Sequence, residues 1–363
     1  MERKLASIRR IAEVKPIEGA DAIEAVRVDG WWVVAKKNEF QVDDLVVYFE
    51  IDSWIPTAIA PFLTKPGKEP REYEGIKGER LRTVKLRGQI SQGLVIPVIK
   101  VVPEKAITNA IVFYDADGQP HHQVVMEGMD VTETLGILKY EPPVPAQLAG
   151  QIKGMFPGFI KKTDQERIQN LPEWIEKYRE VPWEITIKLD GSSMTVYHNN
   201  GNTGVCSRNL DLKEDETNTF WRVANHYKIL PALTKLGRNL AIQGELIGEG
   251  IQGNPEKIKG QDFYVFDIWD IDQQRHLTSF ERHRVLEQLL ELGCGLKEVP
   301  IIHESYPVFA SHDTMEKVLW FAGAGSGMNT EIREGLVFKA TQPINGEVPS
   351  FKAINNTYLL KEK

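Results

Sequence analysis

Cysteine is nearly absent: Cys206 and Cys294 are the only two, with no CxxC pair and no His/Cys cluster around either. That scarcity excludes a disulfide-stapled scaffold and a structural zinc site built on thiolates, and it suits a reducing compartment. No stretch approaches 18 consecutive apolar residues, so no membrane-spanning helix is expected. The N-terminus, MERKLASIRRIAEVKPIEG, is charged throughout and offers no apolar core of a secretory signal. A cytoplasmic protein is the expectation. Low-complexity tracts and internal repeats are also missing. What remains is an ordinary globular balance, 42% apolar and 26% charged over 363 residues, enough for two domains that each bury a core.

There is no overall excess of positive charge either. With 44 Lys and Arg against 51 Asp and Glu the net charge is −7, which by itself discourages a nucleic-acid partner. The distribution is more informative than the total. Residues 1–100 hold 17 basic and 15 acidic side chains, and within them Lys77, Arg80, Arg82, Lys85 and Arg87 are interrupted only by Glu79. A local basic stripe can serve phosphates on an acidic molecule.

The first hundred residues read as β-rich. AIEAVRVDGWWVVAK, DLVVYFEID, RLRTVKLRG and GLVIPVIKV are β-branched and aromatic runs separated by Gly, Asp-Asp and Pro. In RLRTVKLRG, alternation places Leu81, Thr83, Lys85 and Arg87 on one face and Arg82, Val84 and Leu86 on the other. Short strands of this kind suggest a small barrel such as an OB-fold, a common nucleic-acid binder. Residues 101–138 are weakly patterned and read as an insertion. His121 and His122 fall there in an expected loop, without the further ligands a metal site needs. KYEPPVPAQLAG has the prolines of a linker, and Thr163-Asp-Gln-Glu166 matches a capping box, predicting a helix through Tyr178. Beyond it, EITIKLDG, LAIQGELIG, FYVFDIWDI and EGLVFKA are strand-like. ETNTFWRVANHYKIL and FERHRVLEQLLEL predict amphipathic helices, the latter with Val285, Leu286, Leu289, Leu290 and Leu292 inward. The second half is therefore expected to be α+β, built largely on antiparallel strands.

Chemistry concentrates at Lys188-Leu-Asp190-Gly191, directly after a strand. An unprotonated lysine attacks phosphorus or carbonyl carbon well, but its pKa of about 10.4 keeps it protonated near neutrality, so nearby cations would be needed to lower it. Gly191 would permit a sharp turn and a close substrate approach. Alone, these residues equally describe a strand-end lysine beside an Asp-Gly turn. Gly248-Glu-Gly250-Ile-Gln-Gly253 satisfies GxGxxG, yet Pro255 and Gly260 follow where a dinucleotide fold needs a helix, which excludes that reading.

After Lys188-Leu-Asp190-Gly191 come, in order, Ser207-Arg208-Asn209, Glu245 in GELIGEG, Phe266 in FYVFDIW, Glu334-Gly-Leu-Val-Phe-Lys339 and Ser350-Phe-Lys352. This ordered set, covering 184–355, resembles motifs I, Ia, III, IIIa, IV and V of the covalent nucleotidyltransferases, the superfamily of nucleic-acid ligases and mRNA capping enzymes. Only 11 residues follow Lys352, while an OB-like region lies in front, and Thr163-Asp-Gln-Glu-Arg-Ile-Gln-Asn170 precedes the motifs. That arrangement resembles the fifth family of ATP-dependent RNA ligases and differs from DNA ligases and capping enzymes, whose OB domain usually follows motif V.

The resemblance implies an OB-like domain over 1–140 with an insertion near 101–138, a linker over 141–160, and an adenylyltransferase domain over 161–363 related to the ATP-grasp-like ligase fold. It implies Lys188 as the nucleophile that takes AMP from ATP. Arg208 would contact ribose or a nucleic-acid 5′-phosphate, Phe266 would stack on adenine, and Lys339 and Lys352 would meet the α-phosphate. Arg167 would hold the departing pyrophosphate, and Glu245 the ribose or a hydrated metal. Asp190 and Glu334 would join Glu245 in placing Mg²⁺ or Mn²⁺. The partner would be RNA, as a nicked duplex or broken ends, or an RNA/DNA hybrid, bound by a monomer through Lys77, Arg80, Arg82, Lys85 and Arg87, with RNA repair as the role. Two positions depart from the family pattern: Ile187 stands where many relatives have Glu, and Ser350 where many have Lys. The alternatives are an ATP-dependent DNA ligase, a GTP-using transferase, and a non-catalytic binding protein on a ligase scaffold; the last is disfavoured because Lys188, Asp190, Glu245 and Glu334 are all present.

Overall fold

A computed structural model describes residues 3–98, 110–114, 120–124, 126–141 and 150–361. The chain divides into two compact units, Met1–Pro143 with Gln169–Pro172, and Val144–Ile168 with Glu173–Lys363. Among the described residues no helix is long and apolar enough to cross a membrane.

Among the described residues the first unit is built on β-strands, with a short 3-10 turn at Pro61–Leu63. Its five-stranded sheet runs in the order Leu94–Pro97, Leu45–Phe49, Ala6–Pro16, Ile23–Val28, Trp31–Lys36. The long strand Ala6–Pro16 pairs first with Leu45–Phe49 and then, across a bulge between Ile11 and Glu13, with Ile23–Val28. Bulges bend strands and raise their twist, which is how one strand serves both sides of a small barrel. Leu45–Phe49 reads LVVYF without alternation because both its faces are covered. Val47 and Phe49 pack with Ile8 and Ile55, while Val46 and Tyr48 pack with Ile11, Val28 and Trp31. A four-stranded sheet follows in the order Leu138–Lys139, Ser53–Pro56, Ile76–Arg80, Arg71–Tyr73. The run RLRTVKLRG is not one strand: Ile76–Arg80 ends on its first residue, and Val84–Leu86 folds back on Gln89–Ser91 as a separate hairpin. The hairpin turns at Arg87, whose φ is 48°, and Gly88, whose φ is 85°. His121 and His122 lie in a strand rather than a loop, paired with Phe113 and Val112. The run AIVFY over 110–114 supplies that partner. Of the linker expected over 141–160, residues 142–149 lie outside the described residues, while Ile152–Met155 is not a linker but a strand paired with Leu210–Leu212.

The second unit is α+β. Its larger sheet runs Ile152–Met155, Leu210–Leu212, Asn202–Cys206, Ser192–Asn199, Leu240–Gly248, Gln261–Asp270, Arg275–His276. Its smaller sheet runs Glu166–Arg167, Ser350–Ile354, Gly335–Ala340, Trp183–Lys188, Ile301–Tyr306. Trp183, Phe309, Phe338 and Phe351 stack into the core of the smaller sheet, all fully buried.

The expected helix from Thr163 does not form. Glu166 and Arg167 pair in parallel with Phe351 and Lys352, and the only α-helix in the segment is Trp174–Lys177. A strand partner far along the chain outweighs a local capping signal worth about 1 kcal/mol. ETNTFWRVANHYKIL divides into Thr219–His226, capped by Asn218, and Ile229–Leu236, with Lys228 left-handed between them. Ser279–Glu291 carries a complete capping box from Thr278 and Glu281. Val285, Leu286 and Leu289 of that helix are buried, but Leu290 points outward at 62% exposure, and Arg282 occupies the inward stripe instead.

Candidate active site

Lys188 ends the strand Trp183–Lys188 of the smaller sheet, and Ser192 begins a strand of the larger one. Leu189-Asp190-Gly191 is thus the bridge between two sheets. Gly191 is required there for close approach rather than for a turn of positive φ. A Cβ at that position would overlap the Leu246 carbonyl and lie 2.6 Å from the Ile247 side chain. Its N–H donates to Glu245 Oε1 at 3.0 Å, so the bridge is sewn directly to the strand carrying Glu245.

Lys188 Nζ meets Glu334 Oε1 at 2.7 Å. Burial pulls the Lys188 pKa down, but the Glu334, Glu245 and Asp190 carboxylates outweigh it, and the net direction is upward. The expected cations that would depress it are not its neighbours; carboxylates are. Their own pKa values answer in kind. Burial, only partly offset by Lys188 and reinforced by Glu334 and Asp190, pushes Glu245 up to about 8. Burial likewise raises Glu334, against the pull of Lys188. One ammonium faces three carboxyl groups that resist ionising together, and a divalent cation would let all of them do so. Glu334 Oε2 is buried and has no hydrogen-bond partner. Among the described residues no three acidic, His or Cys side chains form a closed cage for a metal. The carboxyl oxygens, Glu334 Oε2 among them, are the donors that suit a hydrated Mg²⁺- or Mn²⁺-type ion, which keeps much of its water and needs one or two carboxylates.

Phe266 sits where the register slips. Gln243 pairs with Asp267 and Gly244 with Val265, leaving Phe266 as the extra residue of a β-bulge. Its neighbours Val265 and Asp267 are buried while Phe266 is only half-buried, so the bulge turns its ring out of the sheet's packing. Lys339 supports this from below. Its Nζ pairs with Asp267 Oδ2 at 2.8 Å and donates to the Phe266 carbonyl at 2.6 Å. Burial lowers the Lys339 pKa, whereas His276 and Lys339 overcome burial and hold Asp267 well below the usual carboxylate range. Lys339 lies opposite Glu184 and Gly335 opposite Lys188, so Lys339 is four residues further along the sheet, about 13 Å from the nucleophile's position. Arg282 continues the buried charge, gripping Glu184 at 3.1 and 2.7 Å and Glu298 at 2.7 Å.

Arg208 and Lys352 are brought together by a residue that carried no role of its own in the sequence pattern. Asp164 takes Arg208 Nη2 on one oxygen at 3.3 Å and Lys352 Nζ on the other at 3.1 Å. Arg167, expected on a helix surface if it has no role, is 7% exposed in the strand beside Lys352. Ile187 is buried, and its N–H donates to the Pro300 carbonyl. Two further partners escaped the sequence. Tyr358 donates its hydroxyl to Asp190 Oδ2, and Asn355 donates its backbone N–H to the Glu334 carbonyl at 2.8 Å.

Of the five basic candidates in the first unit, Lys77, Lys85 and Arg87 are exposed. Arg80 is committed to Asp52 at 2.5 Å and covers the Tyr140 ring, and Arg82 is half-buried. The expected single stripe is divided between a sheet strand and the separate hairpin.

Two family models match the chain: one described as an OB-fold domain over residues 5–98, and one described as RNA ligase over 181–354. Solved structures of a Naegleria gruberi RNA ligase match over the whole length at 48% identity. A mutant with AMP and Mn gives a TM-score of 0.85, covering 99% of each chain. A mutant with ATP and Mn gives 0.84, again covering 99% of each. The same ligase with PPi gives 0.84 over 99% of this chain and 98% of that one. The chain belongs to the RNA ligase family. No curated protein matches it. The ligase is an α+β enzyme with its OB-fold domain first and its ligase domain second, the order that the sequence motifs predicted.

Proposed function

We propose that this ligase seals 3′-hydroxyl/5′-phosphate breaks in RNA through a lysyl-AMP intermediate. It is an ATP-dependent RNA ligase, in keeping with the ATP- and AMP-containing Naegleria gruberi structures it resembles. In the first step Lys188 Nζ attacks the α-phosphorus, forming a P–N bond as the bond to the leaving pyrophosphate breaks. Lys188 must lose a proton first, and Glu334 Oε1 at 2.7 Å is the acceptor in contact with it. AMP then passes to the RNA 5′-phosphate, and the 3′-hydroxyl attacks that activated phosphorus, releasing AMP.

Phe266 stacks on adenine from its bulge. Lys352 contacts the α-phosphate and Arg208 the ribose or the RNA 5′-phosphate, both leaving Asp164 to do so, and Arg167 meets the pyrophosphate. We assign Lys339 to holding the strand beneath Phe266, because two of its three donors are taken by Asp267 and the Phe266 carbonyl. Asp190, Glu245 and Glu334 would hold Mg²⁺ or Mn²⁺, which when bound supplies positive charge for the α-phosphate and favours the neutral amine. We take Met1–Pro143 with Gln169–Pro172 as the nucleic-acid-binding domain and Val144–Ile168 with Glu173–Lys363 as the adenylyltransferase, in place of the 1–140, 141–160 and 161–363 division expected from the sequence. The enzyme acts as a cytoplasmic monomer in RNA repair, on nicked duplex, broken ends or RNA/DNA hybrid.

The observation that carries this reading is Lys188 surrounded by Glu334, Glu245 and Asp190 at the junction of two sheets. Incubation with α-labelled ATP and Mn²⁺ or Mg²⁺, followed by denaturing electrophoresis, tests it. Label should stay on the wild-type chain and be absent from Lys188→Ala; a wild-type chain free of AMP that takes no label with either metal defeats it. GTP in place of ATP should give no label.

A further inference from the structure

The residues after Lys352 close over the carboxylates beside the nucleophile. Asn355 is 5% exposed and is used on all sides. Its side-chain oxygen caps the short helix Asn356–Leu359 by accepting from Thr357 N at 2.9 Å. Its Nδ2 donates to the Arg333 carbonyl at 3.1 Å, and its backbone N–H donates to the carbonyl of Glu334. Arg333 is anchored in turn, its guanidinium donating to the carbonyls of Phe321, Ala322 and Ala324 at the end of the helix Met315–Gly323. The backbone that carries Glu334 is therefore fixed from two directions. The same capped turn carries Tyr358, whose hydroxyl reaches Asp190 Oδ2.

Each of the three carboxylates near Lys188 is thus engaged through one oxygen by a different donor. Glu334 Oε1 has the ammonium, Glu245 Oε1 the Gly191 N–H, and Asp190 Oδ2 the phenol. An O–H donated to an ionised carboxylate is among the stronger hydrogen bonds and fixes the rotation of the group. Among the described residues Asp190 accepts no other hydrogen bond.

We propose that Tyr358 is a positioning residue that orients Asp190 toward a divalent cation, with Asn355 tying that orientation to Glu334. The proposal rests on the ligase reading above but concerns metal affinity, which is measured without nucleotide. Groups that orient a metal's ligands typically change affinity by about tenfold or more when removed. Tyr358→Phe keeps the ring and removes only the donor.

The experiment is titration of the AMP-free, full-length ligase with Mn²⁺ alone, read by electron paramagnetic resonance, for wild type, Tyr358→Phe, Asp190→Asn and the double variant. Tyr358→Phe should bind Mn²⁺ about tenfold more weakly. Because Tyr358 acts through Asp190, the double variant should bind no worse than Asp190→Asn alone. In self-adenylation, Tyr358→Phe should need more Mn²⁺ for half-maximal rate yet recover rate at saturating Mn²⁺, whereas a general loss of folding would not be rescued. Asn355→Asp, which keeps the cap oxygen but gives up the Nδ2 donor, is the second variant, usable should Tyr358→Phe not fold, and should weaken Mn²⁺ in the same direction. Mn²⁺ binding within twofold of wild type in the variant that folds, or full additivity in the double variant, overturns the proposal. Failure of wild type to take label from ATP would instead count against the ligase chemistry and leave this metal measurement standing.

Discussion

At Lys188 the balance of charge runs against the neutral amine that attack requires. Three carboxylates hold the proton on, and burial forces Glu245 to keep a proton well past the usual range. This has a consequence for stability. An unfolded glutamate ionises near pH 4.3, about, whereas folded Glu245 does so at about 8. Between those values the folded chain holds a proton that the unfolded chain has released, so stability falls as pH rises and the contribution is gone above the folded value. The metal-free ligase should therefore melt at progressively lower temperature from pH 5 to pH 8, about, and Glu245→Gln should flatten that slope. Saturating Mn²⁺ should flatten it in the wild type as well. A slope unchanged in Glu245→Gln would assign the effect elsewhere. The nucleophile itself was legible because Lys188, Asp190, Glu245 and Glu334 stand in a recognisable order. Their mutual electrostatics were not, since the three acids come from separate strands and loops and meet only through the fold.

Elements show where local signals prevail and where they yield. Thr278 and Glu281 form the capping box their spacing suggests, while Thr163 and Glu166 do not, because Glu166 is drawn into pairing with Phe351. Arg282 shows the converse. An amphipathic reading of FERHRVLEQLLEL looks for apolar residues, and Arg282 takes one of the inward places because Glu184 and Glu298 wait there. That ion pair joins the helix to the strand that ends in Lys188. Arg282→Met should destabilise the ligase by about 3–5 kcal/mol, the cost of leaving a buried carboxylate alone. Urea unfolding followed by tryptophan fluorescence measures it. Glu184→Gln added to Arg282→Met should restore part of the loss. Tyr358 was illegible for a related reason: its partner Asp190 lies 168 positions earlier, and no periodicity links them.

For the whole molecule, the sequence conveyed the order of domains and the antiparallel character of the second half. It misjudged the continuity of RLRTVKLRG, because alternation alone does not reveal that Arg87 and Gly88 turn the chain back. RNA binding should follow exposure rather than proximity in sequence. Replacing Lys77, Lys85 and Arg87 with Gln should weaken binding to a nicked RNA duplex and lower the slope of log affinity against log salt by about 2–3. Arg80→Gln should leave the slope unchanged, since its charge is already answered by Asp52. Filter binding across a salt series separates the two.

The first unit is not a continuous stretch of chain. Gln169–Pro172 belongs to it, although the ligase strand Glu166–Arg167 comes just before and the helix Trp174–Lys177 just after. Asn170 takes the Trp31 indole N–H at 2.5 Å and gives its own amide to Glu50 at 2.6 Å, while the Gln169 carbonyl receives Gly30. During synthesis the barrel must therefore wait for the ribosome to pass Pro172 before its last hydrogen bonds can close. Dissection at the proline-rich stretch would yield a barrel missing four of its own residues, so a fragment that folds as it does in the enzyme has to extend through Pro172.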